Sequence, residues 1–462
     1  MIAPPDEPAA RIFMNAIAPN ASRTRDTLQQ LAQDIVRYAR QQGASASAAE
    51  VSEGFGQTVT VRHGAVETIE YNRDKGLSVS VYIGQRRGNA STSDFSMQAV
   101  RDTVDAALNI ARYTAEDDCA GLPDADQLAT DFPDLDLYHP WALEVEQAIG
   151  LARECEQAAL DADKRIGNSE GATVNTHEAQ FIYANSLGFV GGYPSSRHGV
   201  SCSVIAGKDE AMERDYWYSV ARDAREILRV EEIGRIAAER TVRRLNARKL
   251  DTMQVPVLFE APIAASLLGH FVGAVSGGSL YRKSSFLLDH LDKPVFAPHI
   301  DLSDVPDIPR GLASSPFDDE GVRVRNRRIV ESGVLRGYFL GSYSARKLGL
   351  QTTGNAGGNH NLILRSDRQQ DFSELLKTMG RGLLVTELLG HGVNNVTGDY
   401  SRGAAGFWVE RGEIQYPVHE ITIAGNLKDM FRDIVAIGND IVVQGSRQCG
   451  SILVEKMTVA GR

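Results

Sequence analysis

The sequence predicts an α+β protein: a small antiparallel sheet with helices at the N-terminus, a central β-rich module and a large C-terminal α+β domain. The chain has 462 residues, too many for one ordinary hydrophobic core, so two or three domains are expected. Residues 253–278 change from a strand-like run to an apolar helical run at Pro262, whose fixed φ and missing N–H suit a first helical turn. We expect a helix over residues 262–276 that is apolar on nearly every face and buried at the centre of the largest domain.

Composition and charge exclude several classes of protein. Hydrophobic residues make up 42% of the chain and charged residues 24%, as in a globular protein. No apolar run approaches the roughly 20 residues that a membrane helix needs, so no membrane span is expected. The formal net charge of -11 argues against nucleic acid as a direct partner.

The N-terminus and the cysteines predict a cytoplasmic protein. Residues 1–23 carry prolines and acids where a secretory signal would have a basic start and an apolar core, so they are expected to form a disordered tail. The four cysteines lie far apart without a CxxC pair. That spacing suits buried free thiols in a reducing compartment.

An N-terminal domain is predicted over residues 24–118. Apolar residues recur at helical spacing from Thr24, which can cap the helix, to Gly43, which can end it. Two hairpins should follow, one turning at His63-Gly64 and one at residues 84–88. A second helix over residues 96–113 would cover the resulting sheet.

A linker and two further domains are expected after this. Residues 119–140 are acidic and interrupted by prolines, which indicates an exposed connection. The central domain, residues 141–230, should start with a helix over 141–162 and continue as a meander of short strands with glycine-bearing turns. A long amphipathic helix over residues 223–247, with a solvated face rich in Arg and Glu, leads into the third domain, residues 231–462.

Two long motifs carry a resemblance to a known family. These are VTGDYSRGAAGFWVE at residues 396–410 and ITIAGNLKDM at residues 421–430, preceded by the glycine-rich stretch 314–359. With them, the chain from about Thr24 onward resembles the TldD/PmbA metallopeptidases, and within these the PmbA branch, also called TldE. The resemblance implies an α+β fold with three domains, in agreement with the three modules above.

The resemblance also implies where zinc would bind, and there the motif is broken. In TldD an HExxxH helix supplies two histidine ligands and a glutamate base, and a distant cysteine is a further ligand. Aligned on His270, this chain has Ala265 at the first histidine and Ser266 at the glutamate, and the expected cysteine is missing. Catalytic zinc needs about three protein ligands. No zinc is therefore expected in this chain. His270 is either a vestigial ligand or a packed, hydrogen-bonded core histidine.

Other polar residues are candidates for binding peptide. The carboxylates of Asp318, Asp319 and Glu320 could hold a cation or a peptide amine, or could form a solvated turn. The glycine-rich segment 354–360 lacks the ending of a phosphate loop, so no nucleotide is expected. Glycine-rich strands at residues 390–406 offer backbone that an extended peptide could join as an extra strand. The peptide-binding candidates are therefore Asp318, Asp319, Glu320, Asn355, Asn394, Asp399 and Arg402.

Three functions remain open at this point. The resemblance implies a noncatalytic subunit that pairs with a TldD-like subunit, which supplies zinc, to degrade or process unstructured peptides. The alternatives are a regulatory or binding protein of the gyrase-modulator type and an independent metallopeptidase with a relocated metal site. Alone, the chain is expected to form a homodimer.

Overall fold

The computed structural model describes residues 21–461, and it confirms the α+β class. Within that range the α-helices are α1 (Ala21–Gln41), α2 (Met97–Tyr113), α3 (Val145–Ala162), α4 (Val230–Val242), α5 (Ala261–Ala274), α6 (Gly277–Tyr281), α7 (Ser342–Lys347), α8 (Phe372–Met379) and α9 (Leu427–Arg432). None of these helices is both long and apolar enough to cross a bilayer.

The strands of the described chain belong to three sheets. The first has the order β3-β2-β1-β4-β5-β6, the second β10-β9-β8-β11-β17, and the third β12-β16-β18-β15-β14-β13-β7. In chain order the strands are β1 (Ala46–Arg62), β2 (Ala65–Ile83), β3 (Arg86–Thr92), β4 (Ile166–Asn185), β5 (Val190–Ala206), β6 (Glu213–Ala221), β7 (Met253–Phe259), β8 (Ile300–Val305), β9 (Arg327–Glu331), β10 (Val334–Leu335), β11 (Asn361–Ser366), β12 (Gln369–Gln370), β13 (Gly382–Leu389), β14 (Asp399–Glu410), β15 (Glu413–Asn426), β16 (Ile434–Gly438), β17 (Arg447–Gln448) and β18 (Ile452–Ala460).

The first of two compact units comprises residues 21–55, 72–128 and 178–195 of the described chain. Its core joins apolar residues of α1, including Leu28 and Ile35, to Val104 and Leu108 of α2 and to strand residues such as Val79. The sequence predicts both helices. Ser96 caps α2 by accepting a hydrogen bond from the Ala99 N–H at 3.3 Å, which satisfies an otherwise unpaired donor.

The second unit comprises residues 56–71, 129–177 and 196–461. It contains the tight turn between β1 and β2, which the sequence places at His63-Gly64. Both residues have positive φ, 52° and 71°, as a two-residue hairpin turn requires. The buried carboxylate of Glu156 accepts both of their N–H groups, at 2.9 and 2.8 Å, and so holds the turn.

Several sequence-based boundaries need correction. The tail expected over residues 1–23 lies, up to residue 20, outside the described residues, and α1 already begins at Ala21, so Thr24 is not its cap. The segment 119–140 is not a freely exposed connection. Leu128, Leu135 and Leu137 are buried in it. Backbone hydrogen bonds also tie it down, because the N–H of Ala129 donates to the carbonyl of Gly321 at 2.9 Å.

The prediction of short central strands was wrong, since β4 has 20 residues and β5 has 17. Gly188 does lie in the turn between these strands, but Gly192 and Gly199 lie inside β5. A Cβ at Gly192 would stand 2.1 Å from the Phe181 carbonyl oxygen, so glycine is needed for close backbone approach there.

The C-terminal part of the second unit is built around β7 and α5. β7 pairs with β13 in parallel and with β18 antiparallel, which closes β7, β13, β14, β15 and β18 into a ring. Helix α5 follows β7 directly, as the sequence predicts. Its residues Leu267 and Phe271 pack in the largest hydrophobic cluster, which also includes Phe296 and Phe431. The candidate site therefore lies on a helix that is held by the largest hydrophobic cluster.

Candidate functional site

Helix α5 presents one buried and one partly exposed face, which corrects the expectation of burial on nearly every side. Pro262 occupies its first turn, as predicted from its fixed φ. Its buried positions are Ala261, Ala264, Leu267, Leu268, Phe271 and Ala274. The degenerate-motif positions Ala265, Ser266 and His270 are half-buried on the other face. The face that would carry the motif is thus accessible.

His270 lies in a polar but incompletely bonded environment. Its ring stands edge-on to the ring of Tyr400, with centroids 6.0 Å apart. Within the described residues, His270 Nε2 is buried without a hydrogen-bond partner, and so is the Tyr400 hydroxyl. Burial lowers the pKa of His270, and the nearby cations Arg402 and Arg447 lower it further. The imidazole therefore favours its neutral form.

Two arginines beside His270 lack the carboxylate partners that such groups ordinarily have. In the part of the chain that the structure describes, neither Arg402 nor Arg447 forms an ion pair, and the Nε of each is buried and unpaired. Burial lowers the pKa of Arg447. Its guanidinium packs over Gly269, where a Cβ would come within 3.0 Å of Nη1. We call Tyr400, Arg402, Arg447 and His270 the His270 cluster.

Arg402 of the cluster lines a cleft of about 630 Å³. The lining also includes Ser266 of α5 and Thr386 to Leu388 of β13. Arg214 and Trp217 of β6 line it as well. We call this space the α5 cleft, and its size would admit several residues of an extended peptide.

The charged groups along the cleft wall are paired, in contrast to the cluster. Arg240 contacts Glu260 at 2.8 Å and Asp215 at 3.4 Å, and Arg244 bonds Glu387. Burial by itself lowers the pKa of Arg240, but the carboxylates of Glu260 and Asp215 outweigh it and raise that pKa. The predicted solvated face is therefore wrong for Arg240 and for Arg244 just after α4, which form buried ion pairs, whereas Arg229 and Arg235 are exposed as the sequence pattern suggests.

The residues around His270 do not fit zinc. Ala265 offers no ligand, and Ser266 donates its hydroxyl to the Ile263 carbonyl at 2.6 Å. Cys449 is buried, and among residues 21–461 there is no group of three or more His, Cys, Asp or Glu side chains that could hold a metal ion. Two guanidinium groups beside the one imidazole would repel a divalent cation. A zinc ion requires about three protein ligands, and this donor set supplies one.

The predicted acidic turn, Asp318 to Glu320, is joined to Asn355 in another part of the same unit. Asp318 is not solvated, since 3% of its surface is exposed. Its carboxylate accepts the N–H groups of Glu320, Val322 and Ala356 at 2.9 to 3.0 Å. Burial raises the pKa of Asp318 to about 7, although those backbone donors oppose the rise. This carboxylate therefore organises the loop.

The two acidic residues that follow Asp318 differ in their surroundings. Glu320 accepts the N–H of Ser342 at 2.8 Å, while Asp319 is exposed. Partial desolvation of its carboxylate by the surrounding loop and the charge of Glu320 nevertheless raise the pKa of Asp319. Asp319 is therefore the member of the turn with a carboxylate open to solvent.

Asn355 belongs to a saturated network. Its amide donates to Asp304 at 2.8 Å, and its carbonyl oxygen accepts from Arg327 at 2.8 Å and from Thr353 at 2.9 Å. Asp304 also accepts the N–H of His360 at 2.8 Å. With its donors and acceptor occupied, Asn355 has a structural role.

The remaining peptide-binding candidates, Asn394, Asp399 and Arg402, lie close to Tyr400 in the sequence but in two different places in the structure. Asn394 and Asp399 shape one exposed loop, in which Asn394 Oδ1 accepts the N–H of Val396 at 2.9 Å and Asp399 accepts the Thr397 hydroxyl at 2.6 Å. Hydrogen bonds from Thr397 and Asn426 lower the pKa of Asp399. Arg402 points instead to the α5 cleft. The sequence candidates thus divide among three places.

Sequence reasoning missed Arg447 and Tyr400. Arg447 lies in a short strand after a loop, and no spacing relates it to α5. Tyr400 belongs to the quoted motif at residues 396–410, but alternation in β14 marks it only as a buried core residue. A signal was present for Arg402, since a charged residue near the start of an otherwise apolar strand needs a partner or a ligand.

Three domain models of one protein family match successive stretches of the chain. The PmbA/TldA metallopeptidase domain 1 matches residues 48–111, the central domain of that family matches residues 138–245, and the C-terminal domain matches residues 252–461. The chain belongs to the PmbA/TldD metallopeptidase family, in its PmbA branch. This confirms the family and the branch that the sequence motifs indicate.

Relatives of the PmbA branch cover nearly all of the chain. Metalloprotease PmbA of Escherichia coli O157:H7 is 52% identical over 89% of this chain and 91% of its own length. The metalloprotease PmbA homolog of Haemophilus influenzae is 50% identical over 94% of this chain and 96% of its own length. A crystal structure from Bacteroides thetaiotaomicron, described as a candidate modulator of DNA gyrase, covers 94% of this chain and 98% of its own, with 27% identity and a TM-score of 0.88.

Proposed function

We propose that this chain is the noncatalytic, PmbA/TldE-type subunit of a cytoplasmic metallopeptidase that degrades or processes unstructured peptides. A TldD-like subunit would supply the zinc, and this chain would bind substrate and shape access to the catalytic centre. The observation that carries the proposal is the His270 cluster: the motif face of α5 is accessible, yet the imidazole has two arginines beside it and too few metal-ligating side chains for zinc.

The α5 cleft supports a role in peptide binding. β13 pairs with β7 through Leu383, Leu384 and Val385, and its following residues line the cleft. No described strand pairs with this side of β13 beyond Val385. An extended peptide can be added along such an edge by main-chain hydrogen bonds.

A regulatory protein is the second candidate, because the Bacteroides relative is described as a candidate gyrase modulator. Direct DNA contact is disfavoured by the net charge of -11. Such a role would act through a protein partner. It predicts no dependence of peptide cleavage on this chain.

Purification of the chain alone, and together with the TldD-like protein of the same genome, tests the proposal. Alone, the chain should contain less than stoichiometric zinc by elemental analysis, should cleave no unstructured peptide such as casein fragments, and should sediment as a homodimer. The two proteins together should form a complex that cleaves peptide. Replacing the glutamate of the partner's HExxxH motif should abolish cleavage without preventing the complex.

Three results would overturn the proposal. One tightly bound zinc per chain together with cleavage by this chain alone would establish an independent metallopeptidase. Equal cleavage by the TldD-like protein with and without this chain would remove its role in proteolysis and leave the regulatory function. A stable monomer, alone and in the mixture, would refute the pairing.

A further inference from the structure

We propose that the His270 cluster is a carboxylate-binding subsite, in which Arg402 and Arg447 receive a carboxylate group of a peptide lying in the α5 cleft. The inference rests on the proposed function for the class of ligand, a peptide. The subsite itself rests on the geometry of this chain.

The unpaired state of the two guanidinium groups distinguishes them from the other arginines around the cleft. Arg214 pairs with Glu170 at 3.1 Å, Arg240 with Glu260 at 2.8 Å, and Arg244 with Glu387. Arg402 and Arg447 have no such carboxylate within residues 21–461, although the Nε of each is buried. Burying an unpaired donor costs free energy, which a ligand carboxylate would recover.

The surrounding donors match one carboxylate. A guanidinium presents a planar fork of N–H groups that suits bidentate binding of a carboxylate. The Tyr400 side chain, 1% exposed, has a hydroxyl without a partner in the described chain. Burial raises the pKa of Tyr400 to about 12, although the Arg402 guanidinium opposes that rise, so the hydroxyl stays protonated and can donate. Two cations and a neutral donor form a set that favours an anion.

The carboxylates of the cleft do not neutralise this set. Glu170 also accepts the Ser203 hydroxyl at 2.8 Å in addition to its bond with Arg214. Asp215 lies between Arg240 and Arg244, at 3.4 and 3.7 Å. Because the acidic groups lining the cleft already have cationic partners, an incoming carboxylate is attracted to the unpaired Arg402 in the cleft wall.

The lining of the cleft favours a peptide as the ligand that carries the carboxylate. Thr386, Glu387 and Leu388 line it with the part of β13 that extends past the β7 pairing. A peptide bonded along that edge would bring either its terminal carboxylate or an acidic side chain to Arg402. Both sources share the same chemistry, and the experiment separates them.

Fluorescence anisotropy with four labelled peptides tests the subsite on the full chain without any partner. The peptides are fluorescein-labelled hexa-alanine with a free carboxyl end, the same peptide with an amidated end, and two amidated peptides carrying one central Asp or one central Asn. Wild type should bind at least one carboxylate peptide about tenfold more tightly than its neutral counterpart. The amidation pair reports the terminal carboxylate, and the Asp and Asn pair reports an acidic side chain.

The variants Arg402→Gln and Arg447→Gln should reduce the selectivity for carboxylate to about one, while their melting temperatures stay at or above that of wild type. Arg447→Lys should restore part of the selectivity because the charge remains. Arg165→Gln is the control outside the cleft, and it should retain the selectivity because Arg165 is paired with Asp163 at 2.7 Å and does not line the cleft.

Equal affinity of wild type for acid and neutral peptides, or no binding of any of the four, would overturn the subsite. Retained selectivity in a folded Arg402→Gln, Arg447→Gln double variant would do the same. Complex formation with the TldD-like subunit is measured on the same variants. Failure of the subsite with an intact complex is therefore distinct from failure of the proposed function.

Discussion

The His270 cluster and the acidic turn with Asn355 are both polar regions on partly buried loops and helices, but they differ in how their polar groups are bonded. Asp318 accepts three backbone N–H groups, and Asn355 bonds to Asp304, Arg327 and Thr353. In the His270 cluster, by contrast, polar atoms of all four side chains are buried without partners in the described chain.

This difference is the reason why we propose the His270 cluster, and not the acidic turn, as a binding site. A saturated network stabilises one loop arrangement, and its members have little capacity left for a ligand. Unpaired buried donors reduce stability, and they persist where a ligand can satisfy them. In the sequence, carboxylates in a turn and a histidine on a helix indicate a functional site equally well. Only the hydrogen bonds around these residues show which of them are free to bind a ligand.

The largest effect is expected at Asp318 and depends on pH. Its pKa is raised on folding from the ordinary value near 4 to about 7, so the folded chain holds the proton more tightly than the unfolded chain. The resulting stability is present below about pH 4 and is lost as the pH rises to about 7. Relative to Asp318→Asn, the free energy of unfolding of wild type should fall by up to about 4 kcal/mol across that range.

Denaturant unfolding of both proteins at pH 4 to 8 measures this difference. Asp399→Asn is the control, because hydrogen bonds lower the pKa of the exposed Asp399 and its contribution to stability therefore depends on pH with the opposite sign. Parallel pH profiles for wild type and Asp318→Asn would show that Asp318 is ionised in the folded chain. The acidic turn would then carry a charged carboxylate that could bind a ligand, contrary to the structural role assigned to it above.

A second change tests the saturated network directly. Asn355→Ala removes hydrogen bonds to Asp304, Arg327 and Thr353 and leaves buried groups without partners, so the chain should lose about 3 kcal/mol of stability. Asn394→Ala, in an exposed loop, should cost less than about 1 kcal/mol. Chemical denaturation measures both. Loss of peptide binding by Asn355→Ala with unchanged stability would reverse the assignment of roles.

The smallest effect on stability is expected at Gly269. A Cβ there would meet the flexible end of Arg447 at 3.0 Å, so Gly269→Ala should displace that guanidinium. Because alanine favours a helix interior over glycine, stability should stay constant or rise by up to about 1 kcal/mol. The selectivity for carboxylate peptides should nevertheless fall.

Gly234→Ala in α4 is the matched control for this change. Its Cβ would lie 2.1 Å from the Cys155 carbonyl oxygen, which is backbone and cannot move aside easily. This variant should lose more than about 2 kcal/mol because overpacking forces backbone shifts. If thermal unfolding showed equal losses for the two variants, Arg447 would be rigidly packed and unsuited to receive a ligand.

The sequence by itself determined the elements that depend on local pattern. The passage from β7 to α5 at Pro262 and the His63-Gly64 turn both follow from backbone preferences of a few adjacent residues. The motifs at residues 396–410 and 421–430 also indicated the family, and the substitutions at Ala265 and Ser266 indicated a broken metal motif.

The tertiary structure alone decided how polar groups far apart in sequence are bonded. Arg447 stands 177 residues beyond His270 in number, and no period relates them, yet they share one cluster. The arginines of α4 have the spacing of a solvated face, but Glu260 and Asp215 pair with Arg240 when the chain folds. Local pattern sets the backbone hydrogen bonds of an element, whereas the partners of a charged side chain depend on long-range packing. That packing saturates Asp318 and leaves Arg402 open.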